Sequence, residues 1–175
     1  MLSHVNCSKA SEPILMAGPR LFLVCGLPGS GKTTRAKYLE SRFNAVRFCP
    51  DEWLSDLGLD VYDEVRRGKI EALQWKLGQT LLTNGISVII EWGTWGRAER
   101  DTLRLGARAV GAEVELNYLT APIDVLYERV RQRGMERPPI NRKDILRWAE
   151  VFQEPTAEEM DLFDSPKEPL ELLNS

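Results

Sequence analysis

The sequence predicts an α/β fold in which a parallel sheet is covered by helices on both faces. Three observations carry this. Apolar runs alternate with helical patterns along the chain. The apolar runs are short and continuous rather than alternating, as expected of strands buried on both faces. A glycine-rich turn joins the first run to the first helical pattern. Strands that alternate with helices need crossover connections, and these give a parallel sheet within layered helices.

The elements follow in order. Leu21 to Cys25 is a continuous apolar strand that stops at Gly26. Lys32 to Phe43 reads as a helix. Ala45 to Phe48 is a second strand, ended by Pro50, after which Asp51 can cap a short helix over Glu52 to Leu57. Asp63 to Thr83 is a longer helix. Its stripe Ile70, Leu73, Leu77, Leu81 keeps the 3.6-residue period, and Asn84-Gly85 stops it. Ile86 to Ile90 is a third strand, Arg97 to Val110 a helix closed by Gly111, and Val114 to Leu119 a fourth strand. Pro122 opens a helix that runs to Arg133 before Gly134. Asn141 can cap a last helix from Arg142 to Val151, and Met160 to Phe163 is a weak candidate for a fifth strand.

Size and composition bound the reading. The 175 residues fit one domain by the usual scale of roughly 150 residues per domain. We divide the chain into a leader over 1–19, a domain over 20–163 with a lid around 129–142, and an acidic tail over 164–175. After residue 153 there are seven acids and one lysine, a net of −6, and the remainder of the chain is +3. The simplest expectation for that end is a solvated tail. The net charge of −3 and pI near 5.4 argue against a nucleic-acid coat protein. The three cysteines, Cys7, Cys25 and Cys49, form no CxxC pair, so a disulfide framework is not expected. The single histidine, His4, lies in the leader, which removes histidine-based catalytic and zinc sites. The apolar runs are too short to span a bilayer, and residues 1–19 lack a signal-peptide core, so the cytoplasm is the expected compartment.

Gly26-Leu27-Pro28-Gly29-Ser30-Gly31-Lys32-Thr33 satisfies G-x-x-x-x-G-K-[ST] in full, with Thr34 following. Its glycines let successive amides turn inward onto phosphate oxygens, and the following helix aims its positive end at the same anion. Lys32 would reach the β- and γ-phosphates and the Thr33 hydroxyl would ligate Mg²⁺. No guanine-reading N-K-x-D follows a late strand, and Asn141-Arg142-Lys143-Asp144 reads as a helix cap. ATP is favoured by default and by the resemblance described below.

In an open parallel sheet, ligands gather beyond the carboxyl ends of the strands. Asp51 stands there after the second strand, either as a proton acceptor for a substrate hydroxyl or as a helix cap. Glu91 stands there after the third, either in the metal shell or as a structural hydrogen-bond partner. Arg129, Arg131, Arg133, Arg137 and Arg142 cluster within fourteen residues. Arg129 and Arg133 share a helix face and can stabilise a phosphoryl group in transit, while the rest can simply be solvated. Trp53, Trp92 and Trp95 can wall a substrate pocket or pack loops onto the sheet. Arg97 and Arg100 can touch phosphate or face solvent, and Trp75 and Trp148 read as core.

Gly26–Thr34, Pro50-Asp51-Glu52-Trp53, Val88–Arg100 and Tyr127–Gly134 together resemble small P-loop kinases of the zeta-toxin, chloramphenicol-phosphotransferase and polynucleotide-kinase type, and bacterial AAA family ATP-binding proteins most of all. The resemblance covers roughly residues 20–160. It implies a three-layer αβα P-loop NTPase fold, kinase-like, with strand order 2-3-1-4-5. It also implies Asp51 as general base and Arg129 and Arg133 on a lid over ATP. Glu91 stands where these kinases mostly have Asp. The Thr-Asn pair that often follows that acid in polynucleotide kinases is missing, which weakens a nucleic-acid end as acceptor. Phe152-Gln153-Glu154-Pro155-Thr156 resembles a recurrent family segment. The expected activity is transfer of the γ-phosphoryl of Mg-ATP to a hydroxyl of a small molecule. The alternatives are a nucleotide switch with a protein partner and a nucleic-acid end kinase.

Overall fold

The computed structural model describes residues 18–134 and 139–168. Four parallel strands form its sheet in the order β2-β3-β1-β4: β1 (Arg20–Cys25), β2 (Val46–Phe48), β3 (Val88–Gly93) and β4 (Glu113–Tyr118). This matches four places of the expected 2-3-1-4-5 order. No fifth strand occurs among the described residues, and the segment considered for it belongs to a helical turn and the bend after it.

The helices are α1 (Lys32–Phe43), α2 (Pro50–Asp56), α3 (Glu64–Thr83), α4 (Arg97–Ala109), α5 (Ile123–Arg133), α6 (Arg142–Val151) and α7 (Ala157–Met160). Every residue of β1 is buried, as its unbroken apolar run requires. Phe22 and Val24 face one side, with Ala36 and Leu39 of α1. Leu21, Leu23 and Cys25 face the other, with Leu82 of α3 and Leu103 and Ala107 of α4. The sheet is thus the middle of three layers. A smaller cluster of Leu126, Val130 and Ile145 joins α5 to α6 and includes Leu27 of the glycine-rich loop at its margin.

Two local expectations are corrected. Asp51 does not cap α2. Cys49 is the N-cap and Pro50 takes the first helical turn, so Asp51 lies inside that turn. Proline suits this place because it lacks the amide that would go unbonded there. The buried stripe of α3 is Ile70, Gln74, Gly78, Leu82; of the expected Ile70, Leu73, Leu77, Leu81, Ile70 is buried and Leu81 packs on the core, but Leu73 and Leu77 do neither. A Cβ at Gly78 would meet Phe48 and Val88 at 3.5 Å, an ordinary packing contact, so this face of α3 lies directly on the sheet. Leu73 and Leu77 turn outward and are 58% and 44% exposed.

The acidic segment read as a solvated tail contacts the sheet as far as Glu168. The Asp164 amide donates to the Val114 carbonyl at 2.8 Å, and its carboxylate accepts from the Val114 amide at 2.6 Å. Arg20 donates to the Ser165 carbonyl, and Arg35 donates to the Glu168 carbonyl. Arg42 bonds the Glu168 carboxylate at 2.9 Å. Three arginines around β1 and α1 thereby gather the segment, and Asp164 covers the open edge of β4 at Val114. Residues 1–17, 135–138 (with Arg137) and 169–175 lie outside the described residues. No described helix is long and apolar enough to cross a membrane.

Candidate nucleotide and phosphoryl-transfer site

The glycine-rich loop turns where β1 ends, and its glycines are needed for space as well as conformation. Gly26 and Gly29 both have positive φ. A Cβ on Gly26 would collide with the Leu119 carbonyl, and one on Gly29 would stand 2.5 Å from the Leu126 carbonyl oxygen. The loop is therefore wedged under the end of β4 and the first turn of α5. Gly31 is the N-cap of α1, so no side chain caps that helix, and its first turn carries no acid. The Ser30 hydroxyl is buried with no hydrogen-bond partner among the described residues. Uncapped amides, an unmet buried hydroxyl and a lysine together fit a polyphosphate.

Lys32 donates to the Leu27 carbonyl at 3.1 Å. Burial lowers its pKa below the usual lysine value. The Glu91 and Asp51 carboxylates oppose that shift, and Arg133 adds to it. All three charges therefore lie within electrostatic range of Lys32. Arg129 donates to the Gly29 carbonyl at 3.3 Å, which places the first lid arginine on the loop. Arg131 pairs with Glu128 and Arg142 with Asp124, both at the surface.

Glu91 is placed by an irregularity in the sheet. Leu23 pairs with Ile90 but Cys25 pairs with Gly93, so Glu91 and Trp92 together face Val24. Such a bulge re-aims a side chain at the end of a strand. One Glu91 oxygen accepts the Thr33 hydroxyl at 2.5 Å, and the other accepts Arg47 Nη1 at 2.6 Å. Among the described residues no three His, Cys, Asp or Glu side chains form a metal cage. Mg²⁺ does not need one, because it takes one or two protein oxygens together with the phosphates of its nucleotide. Thr33 and Glu91 fit that requirement.

Asp51 is 62% exposed at its side chain and pairs with Arg67 of α3. Arg67 also donates to the Val61 carbonyl at 3.1 Å and lies 3.7 Å from Glu71. The rings expected near substrate are engaged in packing. Trp53 meets Phe48 edge-on, and Trp92 donates its indole N–H to Gln74 at 2.8 Å. Trp95 lies against Trp148 and Phe152. The Arg97 side chain faces Asp101 at 3.7 Å. Arg100 neither faces solvent nor reaches the loop. It is fully buried and bonds Glu159 through Nε at 2.6 Å and Nη2 at 2.9 Å. The Phe152–Thr156 segment now has a structural role. The Gln153 side chain accepts from the Arg97 amide at the start of α4, and its carbonyl accepts from Arg100. Thr156 caps α7.

The sequence reading missed Arg47 and Arg67, the arginines that hold Glu91 and Asp51. A charged residue inside the short apolar strand Val46–Phe48 was the available signal for the first. Nothing local marks the second.

Residues 21–155 match the family model of an AAA domain. The chain belongs to that family. Its fold is similar to a chain of the Pnkp1/Rnl/Hen1 RNA repair complex, with TM-score 0.67 and 21% identity over 89% of this chain and 49% of that one. It is similar to a gluconokinase from Sinorhizobium meliloti, with TM-score 0.56 and 19% identity over 82% and 79% of the two chains. It is also similar to Kti12 from Chaetomium thermophilum in complex with ADP-AlF3, with TM-score 0.59 and 19% identity over 80% and 83%. The chain spans about half the length of the RNA repair chain it matches. No curated protein sequence matches. At these identities the likeness establishes the fold alone, that of the small P-loop kinases.

Proposed function

We propose that the chain is an ATP-dependent phosphotransferase that moves the γ-phosphoryl group of Mg-ATP to a hydroxyl of a small molecule. The observation that carries this is the hydrogen bond of Thr33 to Glu91 beside Lys32 at the uncapped start of α1, with Asp51 near enough to act on the Lys32 charge. The loop residues Gly26 to Thr34 and Lys32 bind the phosphates. Thr33 and Glu91 would hold Mg²⁺, which would supply positive charge beside the nucleotide's phosphates. Asp51 accepts the proton of the attacking hydroxyl, and Arg67 fixes the direction of its carboxylate. Arg129 and Arg133 stabilise the charge of the group in transit. Catalysis in such a site is mainly positioning and electrostatics.

A small acceptor is favoured over a nucleic-acid end by the charge around Asp51. Glu52 and Glu71 are its acidic neighbours, and Arg67 is already paired with Asp51 and Glu71. Glu52 is in turn paired with Arg47, so a polyanion would find no clear excess of positive charge there. The gluconokinase likeness agrees with this reading, and the RNA repair likeness favours the other acceptor. A second reading, a nucleotide switch with a protein partner, is favoured by an open groove of about 380 Å³ on α2 and α3. It is lined by Trp53, Leu73, Lys76, Leu77 and Thr80.

The deciding experiment is label transfer from γ-labelled ATP with Mg²⁺ to pools of nucleosides, sugars, aminoglycosides and short oligonucleotides, with Asp51→Ala as control. Label on an organic hydroxyl that disappears in the control is the expected result. Label released only as phosphate, equally by both proteins, removes the base role from Asp51 and supports the switch.

A further inference from the structure

We propose that Arg47 is a positioning residue of the nucleotide and metal site. It holds Glu91 where that carboxylate accepts the Thr33 proton, and it ties Glu91 to the helix that carries Asp51. The inference rests on the Mg-nucleotide reading of the site given above.

Arg47 is the middle residue of β2 and pairs in register with Ile89. Its side chain is only 8% exposed. Desolvating a guanidinium costs several kcal/mol unless it is well paired, and an apolar residue would serve a strand's packing at less cost. The pairing is extensive. Nη1 bonds Glu91 of β3 at 2.6 Å. Nη2 lies 2.6 Å from both oxygens of Glu52 of α2. Nε is 3.5 Å from Glu40 of α1, outside hydrogen-bonding alignment. One planar fork therefore joins three elements around the phosphate loop, a geometry a lysine ammonium cannot reproduce.

The consequence reaches Thr33. A hydroxyl has one proton and two lone pairs. With its proton directed to Glu91 at 2.5 Å, the Thr33 oxygen presents lone pairs elsewhere, as a cation ligand must. Arg47 sets that direction two contacts away. Its second anchor, Glu52, is the chain neighbour of Asp51 in the first turn of α2. The metal side and the acceptor side of the site thus share one guanidinium.

The test is calorimetric titration of ADP into the full chain, with Mg²⁺ and with a chelator. It compares the wild type, Arg47→Met and Arg47→Lys, with thermal melting as the check on folding. The quantity read is the factor by which Mg²⁺ tightens ADP binding. Outer-shell partners of metal sites typically change metal affinity 10–100-fold, so Arg47→Met should reduce this factor about tenfold. The metal-free ADP affinity should stay within about twofold, and Arg47→Lys should fall between. A purely structural role would weaken ADP equally with and without Mg²⁺, or leave the factor unchanged. Either result overturns the proposal. Should Arg47→Met fail to fold, Arg47→Lys decides: a reduced factor supports the role and a wild-type factor overturns it. A wild-type protein whose ADP binding ignores Mg²⁺ overturns both the metal site and this inference. A wild type that responds to Mg²⁺ yet labels no hydroxyl overturns the transferase reading alone, and the variants still decide the role of Arg47.

Discussion

Arg47 and Arg100 each place a guanidinium among carboxylates in this small domain, and their networks end differently. Arg100 uses every donor. Nε and Nη2 bond Glu159, Nη1 bonds the Thr94 and Trp95 carbonyls, and Nη2 also bonds the Gln153 carbonyl. Nothing in that network faces a ligand. It fastens the exit of β3 to the chain beyond α6, next to the stack of Phe152 on Tyr118. The Arg47 network runs outward through Glu91 to Thr33 at the mouth of the phosphate loop, and its buried Nε–H has no hydrogen-bond partner among the described residues. Buried charge alone does not mark a site. A closed network is a latch, and one that ends on a phosphate-loop hydroxyl is poised to respond to what binds there.

The largest effect should come from breaking the closed network. Removing one partner of a buried ion pair strands the other, at a cost of about 3–5 kcal/mol. Arg100→Met should therefore lower the unfolding free energy by about that amount in denaturant titration. A loss below about 1 kcal/mol would mean that Glu159 finds water on relaxation, and that Arg100 is not a latch.

Lys32→Met probes the open region. Loss of one preorganised donor to a transferring group typically costs 10²–10³-fold in turnover, and that loss is expected here in the label-transfer assay. Stability should not fall with it. Lys32 is held with a pKa depressed first by burial, so the folded protein carries a charge that it would release more readily than the unfolded chain. Unchanged turnover in a folded variant would remove Lys32 from the reaction. A large drop in melting temperature would blur the contrast with Arg100.

These contrasts also explain what the sequence discloses. The phosphate loop is legible because all its constraints fall within eight consecutive residues, and the capping box of Asn141 and Asp144 is local in the same way. The alternation of elements is legible for the same reason. The charge networks are not. Arg47 and Glu91 are 44 residues apart and Arg100 and Glu159 are 59 apart, and the pattern of charges names no partner. Arg100 looked free for solvent or phosphate because its acid lies beyond the next strand and two helices. The stripe of α3 turns by one flank, from Leu73 and Leu77 to Gln74 and Gly78, because the rotation of the helix is set by its packing on Phe48 and Val88, which no local pattern shows.

The smallest effect concerns Glu71, on the acceptor side of the open region. Burial raises its pKa to about 7. The Arg67 charge pulls it back down, and Glu99 adds to the rise. The usual value is 4.5, so between pH 4.5 and about 7 the folded protein binds a proton that the unfolded chain has released. Stability contributed by that proton is present at low pH, falls as pH rises through the window and is gone above it. Glu71→Gln abolishes this titration. Its melting temperature should match the wild type near pH 4 and exceed it at pH 8, by the equivalent of roughly 1–2 kcal/mol once the 3.7 Å pair with Arg67 is lost as well. A Glu71→Gln variant less stable than the wild type at both pH values would mean that Glu71 serves chiefly to hold Arg67 against Asp51. The open region would then owe its order to that chain of pairs rather than bear a strained carboxyl.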